Sequence, residues 1–374
     1  MRLVAVLLIA ATVAAQSAPR VQVSNTTENL RGVSAVTRAI AWASGTHGTY
    51  LRTTDAGFTW IPAQVPGAAT LDFRAVFGFS ADEAFLMSAG PGDQSRIYHT
   101  ADGGKHWQLE FANTNPKGFF DSMVLWDRTH GIVLGDPIPD ETGKLKFEVL
   151  LTEDGLTWRP IPKSQLPPAL EGEGAFAASN TCLAILPSTS DSNLWFATGG
   201  KAARVFHSAD RGQSWQVFDT PILQGPDSAG IFSIAFRDAL HGVIAGGDYK
   251  HPDEDGPDLA FTEDGGRTWK VSSIHPQAYF SAVAYDRKVN EQAIREQAIA
   301  AKAETAGKKT RIKPMPPERL FLVGEDFVLD FRPPSNPRRV SANKKLAAKF
   351  NAASAYPEGG ALIVGSKGVI ATVP

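Results

Sequence analysis

Apolar positions in this chain fall in short runs broken by Gly, Pro, Asp and Asn, the texture of strands and turns rather than of helices. A repeat underlies the runs. Each unit opens on a strand that begins with an apolar or aromatic residue, as in Leu30-Arg31-Gly32-Val33, Phe73-Arg74-Ala75-Val76, Phe120-Asp121-Ser122-Met123, Phe232-Ser233-Ile234 and Phe280-Ser281-Ala282-Val283. A second strand follows and ends in glycine, as in His130 to Gly135 and His241 to Gly246. Next comes a turn of the form S/T-x-D-x-G-x-T-W. It spans Thr53 to Trp60, Thr100 to Trp107, Ser208 to Trp215 and Thr262 to Trp269, and a copy from Thr152 to Trp158 is one residue shorter.

The chemistry of this turn is structural. Its carboxylate, from Asp55, Asp102, Asp154, Asp210 or Asp264, can accept N–H groups of its own turn, and its glycine tolerates positive φ. Its indole, from Trp60, Trp107, Trp158, Trp215 or Trp269, can fill the gap between neighbouring sheets. The short copy is expected to turn more tightly. Roughly 50 residues separate successive tryptophans, the length of one four-stranded propeller blade. Two further units lack the turn but keep the opening strands, at Phe280 to Phe331 and at Phe350 to Val373. The pattern predicts an all-β fold, a seven-bladed β-propeller of four-stranded blades. Its last unit supplies only three strands, so Arg20 to Ser24 is expected to close the ring and remove an exposed edge. One stretch, about 287–318, breaks the pattern. It is rich in Ala, Glu, Gln and Lys from Val289 to Ala306 and predicts a short helical, basic insert in blade six, read as a solvated excursion.

Composition narrows the function classes. With 37 Lys+Arg against 39 Asp+Glu, the net charge of -2 provides no global attraction to nucleic acid, and none is expected as a partner. Residues 1–15 read as a signal peptide: Arg2, then the apolar run Leu3 to Ala11, then Val13-Ala14-Ala15 before Gln16. Cleavage is expected after Ala15, leaving 16–374 as one exported, periplasmic or secreted, monomeric domain with no membrane span. The single cysteine, Cys182, has no disulfide partner and reads as a buried thiol.

The repeated turns resemble the Asp-boxes of the sialidase and BNR-repeat superfamily. The remainder of the units looks more like propellers of the photosystem II stability and assembly factor type. In that family the ring is a non-catalytic platform for a membrane-protein partner, often through a face bearing arginines. The resemblance therefore implies a scaffold that binds an envelope or membrane protein, without cofactor. In Asp-box propellers ligands meet the face opposite the boxes. On that face the expected binding residues are Arg31, Arg74, Asp121, Asp136, Glu173, Asp248, Tyr249, Glu325 and Asp326. The Gly and Ala residues after Glu171 are expected to admit close approach of another molecule.

Two other readings use the same face. A glycoside hydrolase would work with paired carboxylates, here Asp136 and Glu173. It lacks an assignable third arginine and tyrosine nucleophile, so a non-enzymatic role is preferred. A lectin-like propeller would bind carbohydrate there. The mix of Asp248, His251, Asp253 and Asp255 has no recognised metal-ligand spacing, and no metal is assigned. No dinucleotide, haem or Cys motif supports redox chemistry.

Overall fold

The computed structural model describes residues 19–186, 192–274, 278–289, 291, 318–333, 335–340 and 348–374. The expected leader, 1–15, with its cleavage point lies outside the described residues. Residues 287–289 and 291 of the insert are helical, and 292–317 lie outside the described residues.

Seven antiparallel sheets are arranged as blades. Their inner strands are Leu30–Ala35, Asp72–Gly78, Phe120–Leu125, Leu183–Ile185, Ala229–Phe236, Ala282–Tyr285 and Phe350–Ala355. Each inner strand adjoins the next, and Phe350–Ala355 returns against Leu30–Ala35, so the blades form a closed ring. The fifth sheet is extended by two short strands, Glu173–Gly174 and Gly199–Gly200, through the pair Gly199 and Gly230.

Closure falls to the N-terminal strand. Arg20–Gln22 pairs antiparallel with Ile370–Val373, placing Arg20 opposite Thr372 and Gln22 opposite Ile370. The blade-seven sheet thereby gains its fourth strand. Gln22 also reaches into blade one, where its Oε1 accepts the Trp60 indole N–H at 2.8 Å and its Nε2 donates to the Ala56 carbonyl at 3.1 Å.

The repeated turns behave as their residue types dictate. In the first, Asp55 Oδ1 accepts from Thr53 Oγ1 and from the Thr59 N–H, each at 2.8 Å, while the Gly57 N–H donates to Thr53 Oγ1 at 3.0 Å. The same glycine-to-hydroxyl bond recurs at Gly104, Gly212 and Gly266, four residues beyond the hydroxyl. In the short copy it closes after three, from Gly155 N–H to Thr152 Oγ1, and Asp154 gathers the next two N–H groups. Each tryptophan then wedges between its own blade and the one before. Trp60 packs with Leu362 and Ile370 of blade seven, Trp158 with Phe85 and Met87 of blade two, and Trp269 with Trp195 of blade four. Burying such an indole contributes on the order of 2–3 kcal/mol, so the repeated wedges bind blade to blade.

The axis of the ring is occupied. Residues 176–181, part of the connection from blade three to blade four, cross it and bond to four blades. Arg74 Nη1 of blade two donates to the Ala177 carbonyl at 2.8 Å, and Ser179 Oγ donates to the Ser281 carbonyl of blade six at 2.6 Å. The Asn180 side chain bridges Met123 of blade three, accepting its N–H at 2.7 Å and donating to its carbonyl at 2.9 Å. The Ile234 N–H of blade five donates to the Thr181 carbonyl at 2.8 Å. Phe176 stacks on Phe232, also of blade five, with ring centroids 3.9 Å apart. Glycine is required beside it, because a Cβ at Gly199 would stand 2.2 Å from the Phe176 ring. The small residues of this segment were expected to admit another molecule; here the ring's own strands make the close approach.

Two stability tests follow from these contacts. Gln22→Ala strips the buried Trp60 N–H of its acceptor and should cost about 1–3 kcal/mol, read as a lower urea midpoint. Asn180→Ala leaves the Met123 backbone groups unpaired inside the ring and should cost at least as much. An unchanged midpoint in either variant would show that the contact contributes nothing to the fold.

Candidate functional site

Five inner strands carry a β-bulge at one equivalent place. Strand pairing skips a residue between Leu30 and Gly32, Phe73 and Ala75, Phe120 and Ser122, Ile231 and Ser233, and Phe350 and Ala352. The residues left out are Arg31, Arg74, Asp121, Phe232 and Asn351. A bulge frees its extra residue from the alternation of the strand and re-aims the side chain. All of them except Asp121 line a cavity of about 440 Å³ at the mouth of the ring, on the face opposite the repeated turns. Ala177 and Ala178 of the crossing segment also line it.

One side of this cavity is cationic. Arg74 is held twice, by Asp72 at 2.9 Å through Nε and by the Ala177 carbonyl. Arg31 is different: its Nε is buried and has no hydrogen-bond partner among the described residues. Burial pushes the Arg31 guanidinium below its ordinary value, and repulsion from Arg74 adds to this, against opposing contributions from Asp72 and Tyr279. The other side is aromatic. Phe176, Phe232, Tyr249 and Tyr279 form a wall in which Phe232 meets Tyr279 edge-on at 4.8 Å and Tyr249 edge-on at 6.1 Å. Tyr249 is 45% exposed. Lys349 and Glu325 complete the rim as a 2.7 Å ion pair.

The structure thus brings Arg31, Arg74, Tyr249 and Glu325 into one cavity. The other expected residues are placed elsewhere. Asp121 is only 1% exposed, and its Oδ2 has no hydrogen-bond partner among the described residues. Burial, reinforced by Asp136, pushes its carboxyl well above the usual carboxylate range, with Arg74 opposing. Asp136 is raised by burial as well, although its Oδ1 accepts the Ala175 N–H at 3.1 Å. Glu173 belongs to a buried cluster of its own, accepting from Arg204 Nε at 3.0 Å, Thr198 Oγ1 at 2.7 Å and the Leu170 N–H at 2.8 Å. Asp136 and Glu173 therefore each have separate partners and do not face a common opening as a free pair. Asp248 is buried and shapes the turn carrying Tyr249, accepting from the Lys250 N–H at 2.9 Å and from His251 at 3.0 Å. Burial raises its carboxyl, but these and neighbouring hydrogen bonds outweigh that and leave it lowered. Asp248, His251 and Glu254 cluster at the surface, while Asp253 lines a neighbouring cavity with Asp326. Asp326 is paired with Arg339 at 3.0 Å.

Sequence reasoning missed Phe176, Tyr279, Lys349 and Asn351, and it placed Phe232 as the first residue of its strand. The structure puts Ile231 in that place and Phe232 at the bulge, in register with Arg31 and Arg74. A signal was present. In every bulged strand a small residue follows the bulge, namely Gly32, Ala75, Ser122, Ser233 or Ala352, and alignment on it reveals the mouth-facing position.

No protein-family model matches this chain, and no curated protein matches it. Solved structures do. The chain is similar to a structure described as YCF48 bound to D1 peptide, at 15% identity and TM-score 0.58, over 96% of this chain and 97% of that one. It is also similar to U3-55K, at 11% identity and TM-score 0.60 over 96% and 98%, and to the WD40 propeller domain of Doa1, at 10% identity and TM-score 0.56 over 95% and 96%. At these identities the likeness is one of fold.

The raised Asp121 carboxyl has a signed consequence. Its folded value lies above its unfolded one, so the folded state binds the extra proton, and stability falls as pH rises from the ordinary carboxylate range through the folded value. Asp121→Asn should therefore be more stable than the parent at pH 7, with the gap closing toward pH 4. Urea midpoints at the two pH values measure this, and a gap independent of pH would contradict it.

Proposed function

We propose that this chain is an exported, non-enzymatic propeller that binds an envelope or membrane protein as an assembly factor or scaffold does, gripping an acidic stretch of the partner at the mouth of the ring. The observation that carries the reading is Arg31. A guanidinium aimed by a bulge into an open cavity, beside a second arginine and with no hydrogen bond or ion pair among the described residues, is a ready receiver for a carboxylate. The aromatic wall opposite it offers apolar area for neighbouring side chains of the same partner. The structure described as YCF48 bound to D1 peptide shows that a ring of this shape can take a peptide, which adds support at the level of fold. The five S/T-x-D-x-G-x-T-W turns support kinship with Asp-box propellers, and the run from Arg2 to Ala15 supports export.

The test is capture from native envelope with the tagged chain, identification of the retained protein, and rebinding of the purified pair. The double variant Arg31→Ala, Arg74→Ala should weaken the purified interaction at least tenfold, as loss of charge-assisted bonds requires. Binding should also weaken as salt rises from low to about 0.5 M. Retention of full affinity by the double variant would remove the arginine mouth from the reading. Turnover of a glycoside panel, abolished by Asp136→Ala, would replace binding with hydrolysis.

A further inference from the structure

On the far side of the crossing segment the ring has a second mouth, and its chemistry is opposite. Inner-strand residues such as Phe77, Val124, Ile185, Ala235, Ala284 and Ala355 line a cavity of about 500 Å³ on the face of the repeated turns. This lies within the ~300–1,000 Å³ of small-molecule sites, which are mostly apolar with a few placed polar groups. The two aliphatic hydroxyls in the lining are already engaged: Ser354 Oγ accepts the Ala35 N–H at 3.0 Å, and Thr181 Oγ1 bonds Ser179 at 2.6 Å. One lining residue carries a charge, Arg287, which follows the inner strand of blade six. Among the described residues it has no hydrogen bond and no ion pair, whereas nearby Arg237 is neutralised by Glu318 at 2.8 Å.

We infer that this second mouth binds a small amphiphile with one carboxylate, such as a medium- or long-chain fatty acid, its chain in the apolar lumen and its head on Arg287. The chemistry selects this class. A mostly apolar lumen, whose polar side-chain atoms beyond the engaged hydroxyls and Arg287 are the Trp126 indole N–H and the Tyr285 hydroxyl, cannot match the several polar groups of a sugar or a nucleobase, which would lose most of their hydration uncompensated. A hydrocarbon chain gains about 0.8 kcal/mol for each CH₂ buried. A single guanidinium matches a carboxylate with two parallel hydrogen bonds.

The experiment uses the purified full chain, with quenching of Trp126, which lines the lumen, and displacement of a polarity-sensitive dye as readouts. Dodecanoate below its micellar concentration should bind, dodecanol should bind more weakly, and acetate should not compete. Arg287→Gln should weaken dodecanoate about tenfold while leaving dodecanol unchanged, the loss expected for a hydrogen-bonded charge pair. Ala235→Phe should fill the lumen and weaken both; if that variant misfolds, Arg287→Gln at the rim still decides. Arg31→Ala alone, which keeps the Arg74 tie to the crossing segment, should leave dodecanoate binding intact, so failure here is separable from failure of the partner-binding reading. Equal affinity for acid and alcohol, indifference to Arg287→Gln, absence of binding, or a concentration-dependent dimer that Ala235→Phe disperses would each overturn the inference.

Discussion

Sheets set around a circle cannot fill their own centre, because strands radiating from an axis leave it either open or in need of a plug. In this chain residues 176–181 fill it, and the rest of the molecule is organised by that fact. The segment is polar where it must bond three blades, through Ser179, Asn180 and Thr181, and the Ala177 carbonyl takes the fourth. It is aromatic where Phe176 lies flat on Phe232. It also sets the floor of one cavity and the ceiling of the other, since Ala177 and Ala178 line the cationic mouth and Thr181 lines the apolar one.

The two mouths owe their difference to strand geometry as well as to composition. Toward the cationic end, bulges take Arg31, Arg74, Phe232 and Asn351 out of the alternating pattern of the inner strands. Toward the other end the strands are regular, and alternation presents mostly apolar residues to the axis. Charge is then concentrated without regard to the overall balance: a chain of net charge -2 holds two arginines around one opening, beside a lysine paired with Glu325. Asp121 sits behind them, buried and raised by desolvation, so its charge is not available to cancel theirs.

Much of the fold was legible in the sequence because repetition announces itself. The turn from Thr53 to Trp60 is local, its bonds join residues within four positions, and its copies share one arrangement of residue types. Ring closure was readable from a deficit, three strands in the last unit and one spare at the start. The candidate site was legible only in part. Arg31, Arg74, Tyr249 and Glu325 meet in one cavity, yet Glu173 and Asp248 resemble them as exposed loop acids in one dimension and are buried in three. Whether a loop acid meets Arg204 or solvent depends on contacts 31 residues distant, which no local pattern records. The plug escaped for the same reason, as its partners are scattered from Arg74 to Ser281.

The pairing of Arg20–Gln22 with Ile370–Val373 also bears on how the molecule is made. Synthesis delivers the first of these segments long before the second, so the earliest strand has no sheet to join while the intervening blades assemble. Contacts of such long range form late and slowly. Until they do, Trp60 lacks both the Gln22 side chain and the blade-seven residues it packs against. Blade one has four strands of its own, but its wedge is unsupported and the blade-seven sheet keeps an open edge until both chain ends are present together.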